Sequence, residues 1–440
     1  MSFIKNNKQL IIDIGIFTIV FLLSFLFTSL LIPIWCDNVW SFGFSYNISN
    51  GLSIYKDFNV LQTPLYFYIA SIFIKIFGNY FISIQIFDSI LIACISILFY
   101  KLINWKMIFV LLLLIILPVS QYNLLCLFFV VLIIYLINKE KDNDLIISIL
   151  VGLTFITKQN FGVLFFIPMF IYSKNKIKGT LYFLIPLVLL CIFYLIDGSL
   201  FNFIDYAFLG LFEFSGNRDF VLVLFILELI CFIYLVYCFI KSKYKDKELL
   251  YIILVQFALY PILDIRHFSL TFSLFVYYFI KNCSKYIILF IFCISEVMFL
   301  ILLAFTFYND ISFIKEKNIF YLRNDYKASK EMEYLYNHFN GEINNIFIDT
   351  EHSYLLKLYY NSPISEFDFM FSGNMGHYNK KKIYKRLDDY CSKNECIFLI
   401  YKNGLKGSQV EEFDTYVKNN YKRVEILEDN YFVYTNKKDK

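Results

Sequence analysis

The stretch Leu10–Ile34, LIIDIGIFTIVFLLSFLFTSLLIPI, follows Lys5 and Lys8 and runs directly into Trp35-Cys-Asp37-Asn-Val-Trp40. An apolar run of this length exceeds the roughly 20 residues that a helix needs to cross a bilayer. It is too long for the apolar part of a signal peptide and lacks a small-residue cleavage site, so it predicts a retained first membrane helix. The pattern then repeats at roughly 80–104, 107–120, 123–138, 144–157, 161–173, 179–196, 219–240, 248–263, 268–280 and 286–307. These segments predict a polytopic α-helical membrane protein of about eleven transmembrane helices. Composition agrees: 59% of the 440 residues are hydrophobic and only 17% are charged, too few to clothe a soluble domain.

The lysines orient the helices. Lys101 and Lys106, Lys139 and Lys141, Lys174 to Lys178, Lys241 to Lys247, and Lys281 and Lys285 mark one side. The turns at 34–79, 121–122, 158–160, 197–218 and 264–267 carry few basic residues. The positive-inside rule places the lysine loops and the N-terminus in the cytoplasm of a cell whose plasma membrane the chain spans. An odd number of helices then leaves the C-terminus outside. Residues 1–308 form the membrane domain, with a first outer loop at 34–79, and 309–440 form an extracytoplasmic domain.

In that tail, Asn345–Thr350, Cys396–Tyr401, Val424–Leu427 and Tyr431–Tyr434 are β-rich runs, and 380–390 and 408–420 have amphipathic helical spacing. Alternating strands and helices predict a small α/β sandwich. No Gly-rich phosphate loop points to a nucleotide, and nothing points to nucleic acid. Most of the ten Cys stand singly in apolar runs and act as small hydrophobes. Cys391 and Cys396 could pair, and no spacing suggests zinc.

Chemistry concentrates in the outer loops. The first holds Asp37, then Gly51-Leu-Ser-Ile-Tyr55-Lys56-Asp57-Phe58, then Gln62-Thr-Pro64-Leu65-Tyr66. A helical stretch is expected at 38–50. The apolar segment 65–77 is too short to span and suits a helix lying in the interface. An acid at the membrane surface beside aromatic rings can act as a general base; taken alone, Asp37 is more simply a helix N-cap. A second cluster is Thr157-Lys158-Gln159-Asn160-Phe-Gly162. Its lysine either anchors the interface or meets a lipid phosphate. The third is Tyr260-Pro261-Ile-Leu-Asp264-Ile-Arg266-His267. Arg266 suits bidentate phosphate contact and His267 could donate to a phosphate oxygen, whereas the bland reading is an Asp264–Arg266 surface pair.

Together these motifs resemble GT-C-fold glycosyltransferases, the protein mannosyltransferase and aminoarabinose transferase relatives among them. The shared features are an acid just after the first helix, a Gly-x-x-x-Tyr-x-Asp-Phe stretch and a Pro-Leu-Tyr interfacial helix ending in Phe-Gly. The Lys-Gln turn and the Pro-x-x-Asp-x-x-His turn complete the set. The resemblance implies Asp37 as catalytic base, with Asp57 as a second acid. It implies Lys158, Gln159, Arg266 and His267 as the donor-phosphate site, supported on the acceptor side by Tyr55, Lys56, Asn123 and Asp264. One departure stands out. Many relatives carry a second acid where this chain has Gln121-Tyr122-Asn123, and Asn123 can hydrogen-bond but cannot act as a base.

The implied activity is an inverting hexosyl transfer from a polyprenyl-phosphate sugar to a glycan, lipid or protein acceptor outside the cytoplasm. No cofactor is required, and a divalent cation, if used, would sit at Asp37 and Asp57. The competing readings are a lipid-linked sugar flippase, a transporter, and an envelope polysaccharide polymerase or ligase. A transporter should show internal repeats, which are not evident. Lesser candidates are Asp197, Asp205, Glu213 and Arg218 in an outer loop and the intramembrane acids Asp88 and Glu296. Gly373–His377 reads as a turn, and the Asn47-Ile-Ser49 sequon carries no weight.

Overall fold

Helices that are apolar on every side must pack on one another or face lipid, and most elements before residue 283 are of this kind. A computed structural model describes residues 8–30, 36–116, 121–139, 144–213, 222–258, 265–282, 313–316, 319–322, 326–350, 352–368, 370, 372–402, 411–427 and 430–436. The first part runs α1 (Lys8–Leu30), α2 (Cys36–Ser49), α3 (Leu65–Phe77), α4 (Phe81–Ile103), α5 (Met107–Ile116), α6 (Gln121–Asn138), α7 (Asp144–Phe155) and α8 (Gln159–Tyr172). It continues with α9 (Lys176–Asp197), α10 (Leu200–Ala207), α11 (Leu222–Lys241), α12 (Lys247–Phe257) and α13 (Ile265–Asn282). The chain is an integral membrane protein. Among the described residues, five segments are long and apolar enough to cross: Gln9–Leu26, Phe81–Leu111, Gln121–Asn138, Lys176–Asp197 and Leu224–Lys241. The expected segment at 286–307, and with it Glu296, lies outside the described residues.

The remaining helices are shorter than a span. The 12 residues of α7 and 14 of α8 extend about 18 and 21 Å at 1.5 Å per residue. Their connecting turn needs a glycine, because a Cβ at Gly162 would collide with the backbone of Phe155. The bundle is tied at the end away from that turn. Lys281 donates to Glu248 at 2.6 Å and to Asn138 at 2.7 Å, joining the C-terminal ends of α13 and α6 to the first turn of α12. Asp246 caps α12 by accepting from the Leu249 amide at 3.1 Å. The intramembrane acid Asp88 accepts from the Tyr66 hydroxyl at 2.9 Å and so fixes α3 against α4.

Beyond the membrane helices come a hairpin of β1 (Phe313–Glu316) and β2 (Ile319–Leu322), then α14 (Tyr326–His338), β3 (Ile346–Ile348), α15 (His352–Tyr359) and α16 (Lys380–Cys391). The chain ends with β4 (Ile397–Tyr401), α17 (Glu411–Asn420), β5 (Lys422–Leu427) and β6 (Tyr431–Thr435). The sheet order is β3-β4-β6-β5, with β3 parallel to β4 and the other pairs antiparallel. Alternation puts Phe347, Phe398, Ile400 and Tyr434 on one face with Ile383 and Leu387 of α16 and Phe413 and Val417 of α17. Ile346, Ile348, Leu399 and Val433 take the other face with Met332, Leu335 and Leu356. Cys391 and Cys396 are disulfide-bonded, joining the end of α16 to the start of β4.

Two seams join this sheet unit to the membrane helices. At one, the buried amide of Asn47 donates to the Ile364 carbonyl at 2.8 Å and accepts from its amide at 3.2 Å. The Asn47 side chain is therefore committed and cannot serve as a sequon. The loop carrying Ile364 is held in turn by the fully buried pair Lys357–Asp368, at 2.7 Å. At the other, the buried carboxylate of Asp205 accepts from the backbone amides of His377, Tyr378 and Asn379 at 3.2, 2.8 and 2.9 Å. The preceding Gly376 has φ +70°, and a Cβ there would strike Asp205. Arg386 of α16 adds a two-nitrogen contact to Glu366 and reaches the Tyr206 hydroxyl at 3.5 Å.

Asp349, at the end of β3, is buried with one oxygen unpartnered, and burial, then the nearby Asp414, pushes its pKa up to about 7. The folded protein therefore holds that proton more tightly than the unfolded chain. The associated stability is complete below the usual carboxylate range and is lost as pH rises through 7. Asp349→Asn should leave the thermal midpoint at pH 4 nearly unchanged. At pH 8 it should raise stability by an amount on the order of 2–4 kcal/mol, at about 1.4 kcal/mol per pKa unit. Calorimetry of the protein in lipid nanodiscs at the two pH values reads this directly.

Candidate functional site

Each residue of the Thr157–Gly162 turn has a separate task, and together they aim one ammonium group. Thr157 donates to the Leu153 carbonyl at 2.8 Å and finishes α7. Lys158 is extended at the N-cap of α8, with φ −154° and ψ 113°, which turns its side chain away from the helix. Its Nζ donates to Asn123 Oδ1 at 2.9 Å and lies 3.2 Å from His267 Nε2. The rings of Tyr122 and Phe161 flank it at 5.2 and 5.3 Å, within cation–π range. Asn160 accepts from the Phe161 amide and donates to the Ala258 carbonyl at 3.4 Å.

Three residues far apart in sequence thus meet at one point, and each belongs to the beginning of a helix. Asn123 is the third residue of α6, Lys158 the N-cap of α8 and His267 the third residue of α13. Helix N-termini carry partial positive charge and unpaired amides. The Lys158 ammonium therefore sits among three positive helix ends, an arrangement suited to an anion. With Lys158 charged, His267 must accept through Nε2, which puts its proton on Nδ1. Asn123 orients the ammonium through a neutral oxygen that adds no negative charge.

Gln159 does something the sequence did not suggest. Expected at a donor phosphate, its amide nitrogen instead donates to the Leu61 carbonyl at 3.2 Å and the Ala207 carbonyl at 2.7 Å. Thr63 Oγ1 donates to the Phe155 carbonyl and the Leu65 amide to the Ile156 carbonyl, both at 2.9 Å. The first outer loop and the end of α10 are consequently pinned to the turn that carries Lys158.

The first loop is built as a closed unit. α2 and α3 form over 36–49 and 65–77, close to the expected bounds. Asp37 lies in the first turn of α2, and its side chain is outside the described residues. Asp57 is exposed and accepts from the Ser53 amide at 2.7 Å, closing a turn. Tyr55, at φ 67°, is fully buried against Tyr194, Phe203 and Tyr206, and its hydroxyl donates to the Gln62 carbonyl at 2.6 Å. Of acceptor contact and support, burial leaves Tyr55 only support. Lys56 pairs at 3.5 Å with Asp197, which also accepts from Ser53 and Ser199. Asp264 lies outside the described residues, as does the side chain of Arg266 at the start of α13.

The outer-loop acids likewise have partners. Asp205 receives the 377–379 amides, and Glu213 meets His377 Nδ1 at 2.6 Å and Lys380 at 3.6 Å. The His377 hydrogen bond, with Lys380 beside it, holds Glu213 below the usual carboxylate range. Arg218 lies outside the described residues. Among the described residues no three His, Cys, Asp or Glu side chains converge as a metal site.

The fold is shared with ArnT from Cupriavidus metallidurans. Its crystal structures bound to undecaprenyl phosphate and in the apo state each match with a TM-score of 0.54, over 98% of both chains, at 10% and 9% identity. This is the GT-C-type fold that the loop motifs led us to expect. No family model and no curated protein sequence matches the chain.

Gln159→Leu keeps the bulk of the side chain but takes the donor from two carbonyls. The thermal midpoint should fall, corresponding to about 1–3 kcal/mol for each buried acceptor left without that partner. Gln159→Glu should be no better, since a carboxylate cannot donate. Equal midpoints for all three proteins would show that the clamp contributes nothing.

Proposed function

We propose that the chain is a membrane glycosyltransferase that moves a sugar from a polyprenyl-phosphate carrier to an extracytoplasmic acceptor. The observation that carries this reading is the convergence of Lys158, Asn123 and His267 at three helix N-termini. A fold match whose solved representative holds undecaprenyl phosphate adds support. The α7–α8 pair is shorter than the about 30 Å hydrocarbon core, so a phosphate at Lys158 would lie at the depth of a lipid headgroup entering from the side.

In this mechanism the carrier phosphate rests on Lys158, His267 and Arg266. Asn123 positions the ammonium, and Gln159 holds the turn rather than touching the phosphate. Asp37 takes a proton from the acceptor hydroxyl or amine as that atom bonds to the anomeric carbon. The bond from that carbon to the phosphate oxygen breaks, and polyprenyl phosphate leaves with the electron pair. Single displacement inverts the anomeric centre. Lys158 and the helix ends stabilise the charge gathering on the leaving oxygen. The N-terminus lies in the cytoplasm and the sheet unit outside, where the Cys391–Cys396 bond fits an oxidising compartment.

The test is transfer of radiolabel from a polyprenyl-phosphate hexose into envelope material by membranes holding each variant at equal level. Asp37→Asn should lose about 10²–10⁴-fold in rate, the usual worth of a general base. Lys158→Met should lose about 10²–10³-fold, as for loss of one charge-stabilising donor. Asn123→Asp brings a carboxylate to the ammonium and should raise the donor concentration needed for half-maximal rate. Full activity in both Asp37→Asn and Lys158→Met would remove the mechanism.

A further inference from the structure

Helices α16 and α17 cover the same sheet face, and between them the surface opens into a groove of ≈ 620 Å³. That volume falls within the about 300–1,000 Å³ typical of small-molecule sites. One wall is aromatic: the Tyr384 and Tyr416 rings stack with centroids 4.1 Å apart. Tyr416 is held rigid because its hydroxyl donates to Asp388 at 2.6 Å, which also accepts from Tyr421 at 2.9 Å. The other wall is polar. Glu411, Thr415 and Asn419 follow at intervals of four along the exposed face of α17, with Asn420 beside them. At the base, the Tyr384 hydroxyl is buried and has no hydrogen-bond partner.

We propose that this groove binds an oligosaccharide of pyranose units, neutral or carrying free amines. An aromatic wall suits the apolar C–H face of a pyranose ring. A row of carboxylate, hydroxyl and amide groups supplies both acceptors and donors for its ring of hydroxyls. The buried Tyr384 hydroxyl is a polar atom that an occupant would satisfy. Glu411 and Glu412 on the rim repel acidic sugars and phosphates, so this is not a second place for the lipid carrier.

The groove is also continuous with the membrane seam. Lys380, one turn before Tyr384, pairs with Glu412 at 2.8 Å and with Glu213 at 3.6 Å. Glu213 closes the segment whose start, Ala207, is held by Gln159 next to Lys158. Its role as a station for a glycan acceptor rests on the transferase reading; binding itself does not.

The test uses the full chain in lipid nanodiscs free of sugar detergents, with no donor lipid, so its outcome is independent of transfer. Saturation-transfer NMR and titration calorimetry would be run with chitotetraose, its de-N-acetylated form and tetragalacturonate. The first two should bind and the acidic one should not. Tyr384→Phe, and separately the exposed pair Thr415→Ala with Asn419→Ala, should weaken binding at least tenfold with an unchanged thermal midpoint. Absence of binding by the neutral and amino probes would overturn the assignment. So would preference for the acidic probe, or equal affinity in the variants.

Discussion

The amide of Gln159 reaches two carbonyls at once, one in the first outer loop and one at the end of α10, and the site is organised around that reach. It works only because α7 and α8 meet in a turn tight enough to exclude a Cβ at Gly162. Two short helices therefore present Lys158 at a fixed depth and direction, and the first turns of α6 and α13 supply Asn123 and His267 around it. The opposite ends of α6 and α13 are locked by Lys281, Glu248 and Asn138. Both helices are thus fixed in register along their length, and the spacing at the Lys158 end follows from that. Preorganisation of this kind lets a cation meet developing charge without reorganising at the moment of reaction.

The same logic joins the membrane helices to the sheet unit. Asp205 is a buried carboxylate whose charge is met by three successive backbone amides at the approach to α16, so the seam closes without a lysine or arginine at that carboxylate. Asn47 makes a two-point contact with one residue of the sheet unit, Ile364. Because α10 takes part in both the Asp205 seam and the Gln159 clamp, a shift of the sheet unit would be felt at the Lys158 turn. That coupling gives the large C-terminal unit a structural reason to sit where an acceptor would arrive.

Much of this was legible in the sequence. Apolar run length and lysine placement gave the helices to within a few residues from α2 to α13, since both signals are local. The strands of the sheet fell on runs of alternating apolar residues for the same reason. Lys158 stood out as a lone cation on the lysine-poor side, and His267 by its place after a proline break. Other parts were not legible. The partners of Asp197, Asp205 and Glu213 lie across long stretches of chain, and a charge in sequence does not reveal its partner. Gln159 looked like a ligand because its neighbour does, yet its amide serves backbone carbonyls that no pattern marks. Tyr55 looked exposed in a loop, whereas its neighbours Tyr194, Phe203 and Tyr206 come from a hundred or more positions away in the chain. The tyrosine-lined groove was equally hidden, because it needs α16 and α17 side by side.

The most direct measurement is equilibrium binding of a polyprenyl phosphate to the nanodisc-embedded protein by native mass spectrometry. The unaltered chain would be compared with Lys158→Met and with Lys243→Met, a change in an exposed loop on the lysine-rich side. The account predicts saturable binding to the unaltered chain and to Lys243→Met, and at least tenfold weaker binding to Lys158→Met. Equal binding by all three would contradict it and leave the convergence of Lys158, Asn123 and His267 as a purely structural feature of the bundle.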